Sequence, residues 1–398
     1  MNTISTNVKR TGLATALGLP LILAGCGGDS SFSPAEVETT NDVGVIATVA
    51  DDFGSGAVEL IGIEESDMTA SGSYFAGTSD IAVNGYGQHY YLLRKFNADR
   101  VLKVDVENPA REVWDASALA EDASGSANPY QVVFVNDTKA YLLRYDQNIA
   151  WIVDPSATQA SGFFTGDTLD LSAYQPSDTN GAVGMSAGAI VDDKLFITLQ
   201  RLNSSFAPTN DSYVAVFDTE TDTEIETNAD ADDNLKGIPL TGRNPGGIQY
   251  LEATGLIVQN IGSYSAPFEG TGLDIIDPAN FTLSSMIADA DIDTQISDAV
   301  ILNATKGYIL NYAGVGSISL QTFDPSQDPV SLTTVGSFAG ADFRDIELGP
   351  DGRLWLADAR VGNPGVQVID TSDDSVSDFI QTTLLPNDIT FAEIDISF

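Results

Sequence analysis

Short apolar runs alternate with polar clusters along most of the chain. The clusters are rich in Gly, Asn, Asp, Ser and Pro, and no segment keeps a sustained helical period. Apolar runs bounded by turn-forming residues are typical of β-strands that are buried on both faces. The pattern therefore predicts an all-β protein.

These predicted strands recur as one unit. Each unit opens with a residue that is mostly small or acidic before an apolar strand, continues with a strongly apolar second strand, and has a third strand that ends in Asp. The opening positions, which lie 43 to 58 residues apart, are Asp80, Gln131, Ala189, Gly247, Asp298, Asp345 and Asp388. Four-stranded units repeating at this spacing are the sequence signature of a β-propeller.

The aspartates that end the third strands predict tight turns. An Asp side chain in this position can accept a hydrogen bond from the backbone two residues further on, which starts a turn into a fourth strand. We therefore interpret the whole set as structural and not catalytic: Asp105, Asp154, Asp218, Asp277, Asp324 and Asp370.

Seven openings predict seven blades, with six or eight as the alternatives. The seventh opening, at Asp388, is followed by only a few residues, so its remaining strands have to come from elsewhere. The apolar runs 43–49 and 57–63 belong to no opening of their own, and we expect them to complete the last blade. Closing the ring through both ends of the chain would leave no long exposed sheet edge. Residues 44–398 would then form one propeller domain.

The N-terminal segment has the pattern of a targeting sequence. Lys9 and Arg10 precede an apolar stretch, 13–23, that is too short for a stable membrane span. The following LAGCGG (23–28) resembles the lipobox of bacterial lipoproteins. The resemblance implies a signal peptide over 1–25, lipid on Cys26, the chain's one cysteine, and, since Gly27 and not Asp follows, sorting to the outer membrane. Residues 26–43 are rich in Ser, Gly and acidic residues, which predicts a flexible tether.

Several blade cores also resemble a known family. The segments KAYLLRY (139–145) and WIVDP (151–155), and DKLFITLQRL (193–202) with VAVFDT (214–219), are similar to the YVTN/YncE-like β-propeller surface lipoproteins. That resemblance extends over about residues 40 to 398. It implies a propeller held on the outer membrane, where relatives of this architecture capture a ligand together with a TonB-dependent transporter. Whether the domain faces the periplasm or the exterior stays open.

The charge of the chain limits its partners. Asp and Glu number 57 against 17 Lys and Arg, which gives a formal net charge of −40. An anionic surface of this kind repels phosphate backbones, and no cluster of basic residues counteracts the repulsion. We therefore expect no nucleic acid partner, and we interpret the acidity mainly as a solvated surface.

A candidate binding site follows from two features of one face. The predicted loops after the second strands are long, and so is the connection 163–185; both would lie on the same face as the ends of the second strands. Those ends carry polar side chains, which could form a ring that holds a carboxylate-bearing ligand. The candidate residues of ring and loops are Arg94, Arg144, Gln200, Arg201, Phe206, Asn260, Tyr264, Phe268, Asn311 and Asp358. The alternative is that these side chains pair within the blades.

Signals for catalysis are few. His89 is the one histidine, so a zinc, copper or haem site of the usual ligands is not expected. Calcium remains an alternative, because 230–234 and 289–293 place carboxylates at alternate positions, although both lack the turn glycine and the glutamate of a calcium loop. We therefore expect a non-catalytic module that captures a ligand or docks a protein. The alternatives are an envelope scaffold and a calcium-dependent hydrolase or lactonase using Asp80, Asp298, Asp345 and Asp388.

Overall fold

The computed structural model of the protein describes residues 39–63, 68–121, 124–179, 181–228, 234–314, 316–338 and 340–396. The predicted signal peptide, Cys26, most of the predicted tether and the acidic residues 230–233 lie outside these ranges. The described chain forms seven antiparallel sheets that follow one another as the blades of a β-propeller. In this part of the chain no helix is long and apolar enough to cross a membrane.

The first three strands join the last one. These are β1 (Thr39–Val49), β2 (Gly56–Gly62) and β3 (Ala70–Phe75), and with β29 (Leu385–Ile396) they form blade 7 in the order β29-β1-β2-β3. Blade 1 contains β4 (Ile81–Tyr86), β5 (His89–Arg94), β6 (Arg100–Asp105) and β7 (Glu112–Ser117). Blade 2 contains β8 (Pro129–Asn136), β9 (Lys139–Arg144), β10 (Ile149–Val153) and β11 (Phe164–Asp170).

The remaining blades repeat this order. Blade 3 contains β12 (Met185–Val191), β13 (Lys194–Leu199), β14 (Tyr213–Asp218), β15 (Thr223–Glu224) and β16 (Ile238–Pro239). Blade 4 contains β17 (Pro245–Leu251), β18 (Gly255–Asn260), β19 (Gly272–Ile276) and β20 (Leu283–Ile287). Blade 5 contains β21 (Gln295–Asn303), β22 (Lys306–Tyr312), β23 (Ile318–Phe323) and β24 (Thr333–Thr334). Blade 6 contains β25 (Phe343–Leu348), β26 (Leu354–Asp358), β27 (Gly365–Asp370) and β28 (Ser375–Gln381). Three short 3₁₀ helices cover Ala160–Gly162, Ser172–Tyr174 and Asp289–Asp291.

The prediction of seven blades closed by both ends of the chain is confirmed. β29 supplies the innermost strand of blade 7, and β1 to β3 supply the three outer ones, with Val45 paired to Thr390 on one side and to Leu60 on the other. One boundary was wrong. The connection expected over 163–185 is shorter, because Phe164–Asp170 pairs with β10 as the fourth strand of its blade.

The turn aspartates are also confirmed. All six carboxylates accept a hydrogen bond from the backbone N–H two residues further on, as Asp154 does from Ser156 at 2.9 Å and Asp370 from Ser372 at 2.8 Å. Hydrogen bonds from the side chain and then from the backbone N–H of Ser372 stabilise the anionic form of Asp370 and lower the pKa of its carboxyl. This local chemistry explains why the third-strand motif recurs.

Neighbouring blades are tied around the central channel by side chains of the innermost strands. At six of the seven junctions a side-chain oxygen accepts a hydrogen bond from a backbone N–H of the next innermost strand. The six acceptor and donor pairs are Asn84 and Val132, Gln131 and Gly188, Gln249 and Ile301, Asp298 and Ile346, Asp345 and Ile389, and Asp388 and Val83. At the junction between blades 3 and 4 the tie is reversed, since the Ser186 hydroxyl donates to the Pro245 carbonyl at 2.7 Å. These ties satisfy backbone groups that would otherwise be unpaired edges of buried strands.

A second set of contacts joins neighbouring blades through the turns between third and fourth strands. Lys139 and Tyr141 of β9 both reach Asp222, in the turn that follows β14 of the next blade. Lys306 and Tyr308 of β22 reach Asp374 in the same way. In each case the aspartate has a positive φ in a tight turn, which aims its carboxylate at the neighbouring blade.

Candidate functional site

The two faces of the propeller differ in their loops. One face is formed by the loops between second and third strands and by the connections from fourth to first strands. We call it the long-loop face. Its second-to-third loops are 50–55, 95–99, 145–148, 200–212, 261–271, 313–314 with 316–317, and 359–364. The plain face carries the turns between first and second strands and those between third and fourth strands. His89, which begins β5, lies on the plain face, and burial lowers the pKa of its imidazole.

Arg144 and Arg201, which were predicted to line the site, contact an aromatic side chain of their own blade and a carbonyl of the connection from the preceding blade. The Arg144 guanidinium lies 4.2 Å from the ring centre of Trp151, which is on the adjacent strand, and Nε donates to the Ala118 carbonyl. Arg201 stacks in the same way on Tyr213, with 4.8 Å between guanidinium and ring centre. Its Nε donates to the Tyr174 carbonyl at 2.7 Å. Burial lowers the pKa of Arg144 to about 10.

The amides and the carboxylate of the predicted ring form equivalent pairs in blades 4 to 6. Each one forms a hydrogen bond to a polar side chain of the third strand. The two residues are not directly opposite: the third-strand residue pairs with the second-strand residue two positions before the amide or carboxylate. The pairs are Asn260 with Asp274 at 2.9 Å, Asn311 with Gln321 at 2.8 Å, and Asp358 with Gln367 at 3.0 Å. The Arg144–Trp151 and Arg201–Tyr213 pairs have the same diagonal offset. The polar periodicity of the second strands is thus a repeated cross-strand pair in five blades.

Two of the other predicted residues, Arg94 and Gln200, do not form this cross-strand pair. The Arg94 Nε is buried without a hydrogen-bond partner, and its charge acts on Tyr74 and Glu112, which lie on the outermost strands of blades 7 and 1. Gln200 is buried and ties blades together, accepting from the Tyr145 hydroxyl and donating to the Pro245 carbonyl. The structure therefore shows most of these side chains paired inside the propeller, as in the alternative considered above, and their role in binding stays a prediction.

Aromatic residues meet at the mouth of the channel on the long-loop face. Tyr130, the extra residue of a β-bulge at the start of β8, stacks on Tyr145 with 4.5 Å between ring centres. Lys95 lies 4.1 Å from the centre of the Tyr130 ring and 3.4 Å from the Asp80 carboxylate. Burial alone would lower the pKa of Lys95, but these neighbours outweigh it and the pKa is raised. Tyr264 approaches the same cluster from blade 4.

The channel itself contains buried carboxyl groups. Asp298, Asp345 and Glu347 are almost fully buried on neighbouring innermost strands. Burial raises the pKa of Asp298 to about 6, and burial together with the charge of Asp298 raises the pKa of Asp345 well above its usual value. Glu347 is affected in the same direction. It also lines a cavity of about 20 Å³ between blades 4, 5 and 6, which has room for about one water molecule.

The carboxylates considered for a calcium-dependent hydrolase have structural partners. Asp298, Asp345 and Asp388 are the inter-blade ties described above, and Asp80 pairs with Lys95. Asp289, in the second acidic segment, accepts hydrogen bonds from the backbone of Gly270 and Thr271. Within the described ranges, no group of three or more His, Cys, Asp or Glu side chains is arranged to hold a metal ion.

The long-loop face carries the most exposed apolar side chains. Six large apolar residues in the described ranges are 50% to 76% exposed, and all six lie on this face: Phe53, Phe75, Phe96, Phe206, Tyr264 and Val361. The exposed apolar residues elsewhere reach 45% at most. Five of the six come from the second-to-third loops of five different blades, so they surround the channel mouth. We call this set the apolar ring.

Two members of the apolar ring are held in a conformation that is unfavourable for their residue type. Phe53 and Phe206 have φ values of 55° and 59°. A bulky side chain at positive φ is uncommon, and such positions often coincide with functional sites. The Phe53 ring also lies 5.5 Å from the Arg344 guanidinium of blade 6. Phe268, a further predicted residue, instead packs edge-on against Tyr312 and is only partly exposed.

Sequence reasoning found Phe206 and Tyr264 but missed Phe53, Phe75, Phe96 and Val361. Their sequence signal is weak, because Phe53, Phe96 and Val361 each stand alone among Asp, Gly, Asn or Pro in a short loop, and Phe75 ends a strand. An aromatic residue directly after the second strand, as in KFN (95–97), was the available clue. Isolated exposed apolar residues are common. Only the closed ring of blades shows that these lie on the same face.

Comparisons with known proteins support the fold. No protein-family model matches the chain, and no curated protein sequence matches it. A Bacteroides fragilis protein to which 6-phosphogluconolactonase activity is ascribed has a TM-score of 0.60 at 13% identity, over 90% of this chain and 99% of its own. The Pseudomonas aeruginosa periplasmic gluconolactonase has a TM-score of 0.53 at 14% identity, over 89% and 99%. Apo AztD from Citrobacter koseri has a TM-score of 0.52 at 12% identity, over 90% and 99%. At such identities the similarity supports the seven-bladed β-propeller fold and gives no information on activity.

Proposed function

We propose that the protein is a non-catalytic binding module that docks a protein partner on its long-loop face. The observation that carries the proposal is the apolar ring, since the most exposed apolar side chains of the described chain lie together on this face. Aromatic side chains contribute large contact areas at interfaces, and they lose little conformational freedom on binding.

The charges around the apolar ring define the chemistry of the partner. Four cations of this face pair with nearby carboxylates: Lys95 with Asp80, Arg243 with Asp211, Arg344 with Asp342 and Arg360 with Asp358. The chain as a whole carries a net charge of −40. A complementary partner therefore has an apolar centre with basic residues around it, because opposite potentials favour encounter and the correct orientation.

The N-terminal motif supports a cellular location for this docking. We place the mature protein at the outer membrane, anchored by lipid on Cys26, on the basis of the LAGCGG segment. The similarity to surface-lipoprotein propellers makes a TonB-dependent transporter one candidate partner. A soluble envelope protein is the other.

A pull-down with matched variants tests the docking. The lipidated protein would be isolated from gently solubilised outer membranes together with the soluble envelope fraction, and the eluate analysed by mass spectrometry for proteins and small molecules. The variant Phe53→Asn with Phe206→Asn removes two aromatic rings, and Asn tolerates the positive φ at both positions. The control is Val113→Ser with Val376→Ser, which changes exposed apolar residues outside the long-loop face.

We expect a basic-rimmed protein in stoichiometric amount with the parent and the control, and a loss of at least about tenfold with the Phe53 and Phe206 variant, or roughly 1.4 kcal/mol of binding. Retention of the partner by that variant would contradict the proposal. A small molecule that is lost in the same variant, without any protein, would replace protein docking by ligand capture.

A further inference from the structure

β1 connects the N-terminal segment that would carry the proposed lipid to the proposed docking face. β1 begins at Thr39 and ends at Val49, and the loop 50–55 that follows it belongs to the long-loop face. The chain therefore enters the propeller from the plain face. Cys26 lies thirteen positions before Thr39 in the sequence.

The first residues of β1 extend past the edge of their blade. Val43 is the first residue of β1 that pairs with β2, opposite Gly62, whereas Thr39 pairs only with Ile396 of β29. Thr39 to Asp42 and the end of β29 thus form a two-stranded ribbon that continues beyond β2 on the plain face. The attachment point of the anchor segment is moved further from the long-loop face by this ribbon.

The dimensions restrict how the domain can stand on a membrane. Thr39 and Val49 are ten residue steps apart in one strand, which corresponds to about 34 Å. Thirteen residues of any conformation span at most about 45 Å. To bring the long-loop face to the membrane surface, the segment between Cys26 and Thr39 would have to run back along the whole of β1 and around the outside of a blade. That path uses almost all of the available length.

We propose that the long-loop face points away from the membrane that holds the lipid, so that the protein docked there is a soluble one that stands free of this membrane. This inference rests on the proposed function, both on the lipid at Cys26 and on docking at the apolar ring. A transporter embedded in the same membrane would face the plain side of the domain.

Orientation can be measured without any partner. Ser205 is exposed in the loop 200–212 of the long-loop face, and Ser372 is exposed in the turn after β27 on the plain face. Ser205→Cys and Ser372→Cys would each carry a fluorescent donor in the full lipidated protein, whose own cysteine is blocked by lipid. The protein would be bound to phosphatidylcholine vesicles that contain an energy-transfer acceptor on the lipid headgroup.

We expect transfer from position 372 to be at least about twofold more efficient than from position 205, because the two faces are separated by roughly the length of β1. Equal transfer, or stronger transfer from position 205, would overturn the inference. The control is Cys26→Ala in both labelled proteins, which should abolish vesicle binding. A parent protein that does not bind vesicles would also overturn it, since the anchor would then be absent.

A second arm separates this inference from the docking proposal. A photo-crosslinking residue in place of Phe96 would be activated in intact cells. The anchor segment would then be cleaved off and the membranes washed at alkaline pH. The wash shows whether the cross-linked partner is released from the membranes or stays in them. A partner released by the wash supports the inference, and an integral membrane protein contradicts it. The absence of any adduct, with the expected energy transfer, would remove the docking proposal and leave the orientation intact.

Discussion

The Asp388 carboxylate accepts a hydrogen bond of 2.6 Å from the backbone N–H of Val83, which lies 305 positions earlier in the chain. Asp388 is in β29, the closing strand of blade 7, and Val83 is in β4, the innermost strand of blade 1. On the other side of β29, Asp345 of blade 6 accepts from the Ile389 N–H, also at 2.6 Å. The C-terminal strand is therefore held from both sides by carboxyl groups of aspartates.

The variant Asp388→Ala should destabilise the propeller by about 2 kcal/mol, because it leaves the buried Val83 N–H without an acceptor. Asp388→Asn keeps an acceptor oxygen and should cost less than half as much. Urea denaturation followed by tryptophan fluorescence gives both values. Equal losses for the two variants would show that the hydrogen bond to Val83 does not contribute to ring closure.

Gly85 allows β4 and β29 to approach closely. A Cβ atom at this position would lie 1.8 Å from the Phe391 carbonyl oxygen, so Gly85→Ala forces two backbones apart. We expect a loss of about 3 kcal/mol or more, the upper range for overpacking. Gly87→Ala is the matched control, because Gly87 has a φ of 53° but no atom within 4 Å, and strain alone should cost about 1 kcal/mol. If thermal unfolding shows the two variants to be equally stable, the close approach at Gly85 is not a constraint.

The carboxyl cluster of the channel should make stability depend on pH. The folded-state pKa of Asp298 is raised to about 6. A raised acid pKa contributes stability that is fully present below the unfolded value near 4 and is lost as the pH rises through the folded value. From pH 5 to pH 8 the free energy of unfolding should therefore fall by about 1.4 kcal/mol, because pH 5 already lies only one pH unit below the folded pKa.

Glu347→Gln tests the origin of that pH dependence. The substitution removes one ionisable group from the cluster, so it should raise the stability at pH 8 more than at pH 5 and flatten the curve between them. Denaturation at both pH values in the same salt is the measurement. A curve parallel to that of the parent would assign the pH dependence to groups outside the channel. Below pH 4 stability should fall again, because hydrogen bonds lower the pKa of turn aspartates such as Asp370.

Two equivalent contacts between blades on the plain face, which we call clamps, can be compared with each other. The Tyr141 hydroxyl bonds Asp222 of the next blade, and the Tyr308 hydroxyl bonds Asp374 in the same geometry. Tyr141→Phe and Tyr308→Phe should each cost about 1.5 kcal/mol, as expected for a partly buried hydrogen bond to a charged group. Denaturant midpoints would measure both. A large effect at one position and none at the other would show that the two clamps are not equivalent.

Arg144 should matter for stability and not for the partner. Arg144→Ala removes the stacking on Trp151 and the hydrogen bond to the Ala118 carbonyl, so we expect a loss of about 2 kcal/mol. Partner retention in the pull-down should be unchanged below the unfolding temperature. Loss of the partner with normal stability would support the predicted role of Arg144 in the binding ring.

The sequence by itself determined the repeat, the number of blades, the closing strands and the turn aspartates. These features depend on interactions within a few residues or on the repetition of one pattern, so the same sequence signal recurs in each unit. The tertiary structure decided what the polar ends of the second strands do. Whether Arg144 faces a ligand or stacks on Trp151 depends on strand pairing and on which side of the sheet the long side chain takes, and neither can be read from spacing. The tertiary structure also completed the apolar ring, of which the sequence indicated only Phe206 and Tyr264. Phe53 and Val361 lie more than 300 positions apart and share a surface only because β29 closes the propeller.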